Sequence, residues 1–163
     1  MRNLFKSNLI NCVKYIEMGG PFAYSYIRGS YKYPEIFGTA EFYRLNGGVF
    51  IIWELAGLSE KDYSIHGFHI HEGTSCGGSG HEPFPESGMH YDTKNMPHPY
   101  HSGDLPPIFA NNGYAIGAVF TDRITPEEII GRTIIVHSSP DDFTTQPSGS
   151  SGEKIACGVI EGI

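Results

Sequence analysis

The sequence predicts an all-β domain, a sandwich or barrel of about eight short strands. Three observations lead there. Short runs rich in β-branched and aromatic residues recur along the chain, each closed by a turn signal. Glycine (21) and proline (11) together make up about a fifth of the 163 residues, which disfavours long helices. At that length one domain is expected, and 39% hydrophobic residues are enough to give it a core.

Residues 1–20 read as an N-terminal extension. Phe5, Leu9, Val13 and Ile16 have the spacing of a short amphipathic helix, which Gly19-Gly20-Pro21 would stop. The β-domain then occupies residues 21–163. Its first runs, Phe22–Ile27, Ile36–Leu45 and Val49–Leu55, form an antiparallel meander with Asn46-Gly47-Gly48 as a hairpin signal. Ser64–His71 is a fourth run. Glu72–Gly113 is a long irregular stretch rich in glycine, proline and histidine, and loops of that length in a compact domain usually carry function. Tyr114–Thr121 is β-like, and Pro126-Glu127-Glu128 opens a single helical turn before Gly131. Thr133–His137 is a strand, Asp141–Gly152 a second polar loop, and Ile155–Ile160 the closing strand.

Eleven basic against eighteen acidic residues give a net charge of −7, which argues against a nucleic-acid partner. No apolar run approaches the roughly 18 residues a membrane span needs. The first twenty residues lack a clean apolar core and a small-residue cleavage site, so the expected location is the cytoplasm, with export by a route not visible in the sequence as the alternative. Cys12, Cys76 and Cys157 allow at most one internal disulfide and leave one thiol over. No Cys-x-x-Cys occurs, which excludes a zinc ribbon and a thioredoxin-like site.

The histidines carry the chemistry. His69-Ile70-His71 ends the fourth strand, and alternation sends both imidazoles to one face and Phe68 and Ile70 to the other. His66 shares the parity of Phe68 and is expected to be buried and hydrogen-bonded. His90, His98, His101 and Asp104 follow in the long loop. Pro97 and Pro99 argue against a helix there, so a tight loop would fold His98, His101 and Asp104 around one ion; with a fourth imidazole, this set suits tetrahedral zinc. His137 ends a later strand. Each spacing alone arises by chance. Together they indicate an imidazole-rich metal site of a kind that suits copper, zinc, iron or nickel. His81, in the glycine-rich part of the loop, is expected to face solvent.

At these residues the chain resembles the copper-zinc superoxide dismutase family in its bacterial, short-loop form. The matching segments are Gly67-Phe68-His69-Ile70-His71-Glu72, then His101-Ser102-Gly103-Asp104-Leu105-Pro106. Ile130-Gly131-Arg132-Thr133-Ile134-Ile135-Val136-His137 follows, then Pro140-Asp141-Asp142 and Ile155-Ala156-Cys157-Gly158-Val159-Ile160. The likeness runs from about residue 22 to the C-terminus, in the family's order.

The resemblance implies an eight-stranded Greek-key β-barrel with two long metal-site loops. It implies copper bound by His69, His71, His90 and His137, and zinc bound by His90, His98, His101 and Asp104. His90 would be shared by both ions and act in catalysis. Asp141 would link His69 to His98, the plainer alternative being a turn residue after Pro140. Cys76 and Cys157 would form the disulfide, with Cys12 the free thiol. The substrate would be superoxide anion, and the protein a monomer or homodimer.

Three departures from the family are visible. His98 and His101 are only three residues apart, so the zinc loop is compact. The loop from Asp141 to Glu153 is short, which would reduce guidance of the anion. Lys154 stands where the family places an arginine; it keeps the positive charge without the planar fork, and a weaker anion anchor is expected. A non-catalytic copper- and zinc-binding relative is therefore the alternative to an active dismutase.

Overall fold

The computed structural model describes residues 19–45, 47–58, 64–78 and 81–163. The expected N-terminal amphipathic segment and Cys12 lie outside them. Among the described residues ten strands follow in order: β1 (Ala23–Gly29), β2 (Phe37–Leu45), β3 (Gly48–Ala56), β4 (Ile65–His66), β5 (Phe68–His71), β6 (Ile108–Phe109), β7 (Tyr114–Thr121), β8 (Thr133–His137), β9 (Lys154–Val159) and β10 (Glu161–Gly162). A single helical turn, α1 (Pro126–Ile129), begins at a Thr125–Glu128 capping box. No helix among the described residues is long and apolar enough to cross a membrane.

The first three strands form the expected meander. Leu45 pairs with Gly48, so the hairpin connection is two residues long. It ends in Gly47 at φ 87°, the positive φ such a tight turn demands. Along β3, Val49, Ile51, Trp53 and Leu55 point inward and are buried, while Glu54 faces out. β7 pairs with β3 and sets Gly117 opposite Trp53. A Cβ at Gly117 would lie 2.3 Å from the indole, so the glycine makes room for the ring.

The main sheet runs β5-β8-β9-β1-β2-β3-β7, with β10 beside β1. β3 and β5 are far apart in that order, yet the rings of Trp53 and Phe68 meet at 5.3 Å. The sheet is therefore curled over one apolar core. Phe68 and Ile70 of β5 and Ile134 and Val136 of β8 enter that core. Their neighbours His69, His71 and His137 are left for the opposite face, as alternation requires.

Two local irregularities shape that face. Ser64–His71, one run in the sequence, is two strands in the structure. It breaks at Gly67, whose N–H donates to the Ser139 carbonyl and whose carbonyl accepts from the His137 N–H, both at 2.8 Å. A Cβ there would press on the Ser151 side chain and the His69 ring, at 2.8 and 3.2 Å. Between β8 and β9 the register slips: Val136 pairs with Ala156, but His137 pairs with Lys154. Ile155 is the extra residue of this bulge, which sets His137 and Lys154 side by side at the strand ends.

Candidate metal centre

The long loop after β5 returns to that strand twice. Tyr91 N–H donates to the Ile70 carbonyl at 2.9 Å, and Ile70 N–H donates to the Gly103 carbonyl at 2.9 Å. A Cβ at Gly103 would lie 2.3 Å from the Ile70 carbonyl oxygen, so only glycine permits this approach. Main-chain pairing thus brings His90 opposite His71 and Asp104 opposite His69.

Two clusters result. His69, His71, His90 and His137 bring one nitrogen each within 4.8 Å of one another, and His90, His98, His101 and Asp104 do the same. His90 belongs to both. Its Nδ1 lies 2.7 Å from Asp104 Oδ1, which leaves its buried, unpartnered Nε2 for the other cluster. The second Asp104 oxygen lies 3.1 Å from His98 Nδ1 and 3.2 Å from His101 Nδ1.

Groups outside the clusters fix the protons. A neutral imidazole has one N–H and one lone pair. His69 Nε2 and His98 Nε2 each donate to one oxygen of Asp141 at 2.8 Å. His71 Nδ1 donates to the Gly88 carbonyl at 2.9 Å, and His137 Nδ1 to the Gly152 carbonyl at 3.3 Å. Each of these rings must therefore turn a bare lone pair inward. His71 Nε2 and His137 Nε2 face each other at 3.3 Å. The inward nitrogens of His69, His90, His98 and His101 are buried with no hydrogen-bond partner.

Several converging unsatisfied acceptors are costly unless a cation accepts their lone pairs. Metal ions fit this donor set. Protons do not: burial first, then the neighbouring imidazoles, hold His69 and His71 well below the usual histidine range. His137 is pushed down to about 3, by burial and then by His90. At Asp104, burial pushes the carboxyl up, but the His90 hydrogen bond and the surrounding histidines outweigh it and the net shift is downward.

The clusters differ in access. An open cavity of about 400 Å³ is lined by His71, His90, His137 and Lys154, whereas His98 and Asp104 are buried away from it. Three imidazoles and a carboxylate in a closed setting suit structural zinc. Four imidazoles, three of them lining an open cavity, suit a redox copper ion.

The site residues singled out in the sequence, Cys12 apart, all lie among the described residues. Asp141 bridges His69 and His98. Lys154 lies at the cavity. Cys76 and Cys157 are joined by a disulfide. His66 is buried and donates from Nδ1 to the His137 carbonyl at 2.9 Å, and His81 is exposed.

Sequence reasoning did not find Gln146, which grips the backbone of His98 from the other loop. Its Oε1 accepts from His98 N–H at 3.0 Å and its Nε2 donates to the His98 carbonyl at 2.7 Å. No spacing signal marks a lone glutamine 48 residues from its partner. Gln146→Ala is expected to lower zinc affinity about tenfold, measured by competition with a chromogenic chelator, with copper affinity changed less.

A curled all-β domain that fuses a closed imidazole–carboxylate site to an open imidazole site through one histidine defines a two-metal redox protein. The chain belongs to the copper/zinc superoxide dismutase family, whose description matches residues 36–160. It is 36% identical to a copper-zinc superoxide dismutase of Photobacterium leiognathi, over 76% of this chain and 78% of that one. It is 33% identical to one of Deinococcus radiodurans, over 79% of each. The solved copper/zinc superoxide dismutase of Brucella abortus superposes with a TM-score of 0.74 at 30% identity, covering 85% of this chain and 99% of that one. The family's activity, conversion of superoxide to dioxygen and hydrogen peroxide with copper and zinc, is the activity of this chain.

Proposed function

We propose that the two clusters divide that reaction between them. His69, His71, His90 and His137 hold copper; His90, His98, His101 and Asp104 hold zinc. The observation that carries this reading is His90, which belongs to both clusters, its Nδ1 beside Asp104 and its Nε2 buried without a partner. Asp141 orients a ring in each, and so couples their geometry. When bound, copper supplies a one-electron couple that takes an electron from one superoxide and gives it to another, and zinc supplies charge and geometry.

The chain's own residues supply the proton and the approach. Conversion of two superoxide anions to one dioxygen and one hydrogen peroxide consumes two protons. His90 lines the cavity and keeps Nδ1 anchored beside Asp104, which leaves Nε2 as the atom to take up and deliver a proton. Every residue of both clusters comes from one chain.

A net charge of −7 repels an anion at long range. Screening over about 8 Å at physiological salt leaves local charge to decide the approach. Lys154, half-buried at the cavity, is the local cation. Glu153 beside it is paired with Lys32.

Lys154→Met is expected to lower the copper-dependent rate of superoxide decay about tenfold at low salt, with the metal-free protein as control. Burial lowers the Lys154 pKa below 10.5, with Glu82 opposing. The ammonium loses its charge as pH rises through that lowered value, so wild-type activity should fall on the alkaline side before an ordinary lysine would titrate. Lys154→Arg should hold activity to higher pH. An unchanged rate and pH profile in Lys154→Met would remove the residue from the site.

A further inference from the structure

Lys154 is held by an unusual piece of backbone. Its Nζ donates to Ser87 Oγ at 2.8 Å, to the Gly88 carbonyl at 2.8 Å and to the Phe84 carbonyl at 3.4 Å. Phe84 and Gly88 flank one 3₁₀ turn, Pro85–Ser87, and Ser87 ends it. Phe84 before it sits at φ 57°, ψ 46°, a left-handed conformation that strains a residue with a side chain. Gly88 after it sits at φ 69°, ψ −150°, a region essentially closed to other residues. Both positions, the strained Phe84 and the glycine-only Gly88, present their carbonyls to the same ammonium. The Gly88 carbonyl also accepts from His71 Nδ1, so it holds a cluster histidine and the cation together.

Ser87 is fully buried, and its hydroxyl donates to the Phe84 carbonyl at 2.8 Å. That donation leaves its lone pairs for Lys154. Without this oxygen, a flexible four-carbon stem would be held by two carbonyls alone, one of them distant. Glu82 lines the same cavity and offers a carboxylate that would draw the ammonium aside. A guanidinium differs: its fixed fork can span two carbonyls without help from a side chain.

We propose that Ser87 is the positioning residue that suits lysine to position 154, its hydroxyl completing a three-oxygen cradle that holds the ammonium at the cavity. The proposal rests on the reading of Lys154 as the anion anchor. The site then works by a fixed point charge, all three N–H groups being engaged, and not by a donor free to dock the anion.

The test is a double-mutant cycle of Ser87→Ala and Lys154→Arg, with Lys154→Met as a control for the anchor itself. Two quantities are read on the copper- and zinc-loaded protein. One is the rate constant for superoxide decay at low ionic strength. The other, in the reduced diamagnetic form, is the ¹⁵N–¹H signal of the Lys154 Nζ, which survives solvent exchange only if the ammonium is held. Ser87→Ala should lower the rate about fivefold and erase the Nζ signal. In the Lys154→Arg background the same change should cost less than about twofold, which also shows that the variant folds.

Equal losses in both backgrounds would make Ser87 a pillar of the turn only and overturn the proposal. No loss in either, with Lys154→Met slow, would overturn it while leaving the anchor in place. If Lys154→Met is as fast as wild type, the anchor reading and the proposal fall together.

Discussion

Replacement of His90 by alanine is expected to strip the protein of both metals. Most ligands serve one ion, and their loss should leave the neighbouring site with its full set. His90 serves two. Without it, the open cluster keeps His69, His71 and His137, and the closed cluster keeps His98, His101 and Asp104. Asp104 also loses the hydrogen bond that contributes most to its lowered pKa. Loss of a partner that merely orients a ligand costs about 10–100-fold in metal affinity, so loss of the shared ligand should exceed about a hundredfold at each site.

The fold should survive His90→Ala. The segment is held by main-chain bonds from Glu72 N–H to the Met89 carbonyl and from Tyr91 N–H to the Ile70 carbonyl, both 2.9 Å, which alanine keeps. Metal content after dialysis against a weak chelator, with superoxide decay measured on the same samples, checks this. His101→Ala serves as the contrast, expected to lose zinc more than copper. A His90→Ala protein that retains two metals and full activity would show that the clusters are independent.

The sequence placed His90 in the long loop, but its place in both clusters was legible only through likeness to a family; what else could be read depended on how each contact is made. His69-Ile70-His71 could be read because strand alternation is a local rule: the core side chains Phe68 and Ile70 determine where the imidazoles go. His98, His101 and Asp104 could be read because three ligands of one ion crowd into one short loop. The meander and its Asn-Gly turn were local in the same way. Asp141 was legible only through likeness to a family, since an aspartate after a proline has an ordinary turn role. Its bridge also depends on Gly149, where a Cβ would lie 2.0 Å from Asp141 Oδ1.

Ser87, Gly88 and Gln146 act across the fold. Ser87 meets Lys154 over 67 residues and Gln146 meets His98 over 48, and with the bond from Lys154 to the Gly88 carbonyl three of these four bonds involve backbone carbonyls or amides. The break at Gly67 and the bulge at Ile155 were hidden for a related reason. Each is forced by a partner segment, Ser139 with His137 in one case and β8 in the other. Patterning within a strand holds no record of its partner.

Removal of the Cys76–Cys157 disulfide should give the largest change in stability. The bridge joins residues 81 apart in the chain, with Cα atoms 5.8 Å apart. Closing a loop of that length in the unfolded chain corresponds to about 4.5 kcal/mol in the loop-entropy description. For a domain of this size the double substitution Cys76→Ser, Cys157→Ser should lower Tm by about 10–15 °C. The same shift should appear in the metal-free protein, because the constraint acts on the unfolded chain.

A second, local effect follows from where the bridge sits. Cys157 lies on β9 three positions beyond Lys154, and Cys76 begins the segment that returns through Glu86 to Ser87 and Gly88. Ser75 Oγ donates to Glu86 Oε2 at 2.6 Å, and Glu86 N–H donates to the Gly77 carbonyl at 3.4 Å, so the segment closes on itself. The disulfide and the Lys154 cradle therefore fasten one loop to one strand at two points. With the first released, the Gly88 carbonyl is held to β9 through Lys154 alone, and with it the orientation of His71. Calorimetry of oxidised and doubly substituted protein, with copper affinity measured alongside, separates the two effects. A lower Tm with unchanged copper affinity would show that the cradle suffices to place His71. A fall in both would show that the covalent bridge is what keeps the loop against the metal face.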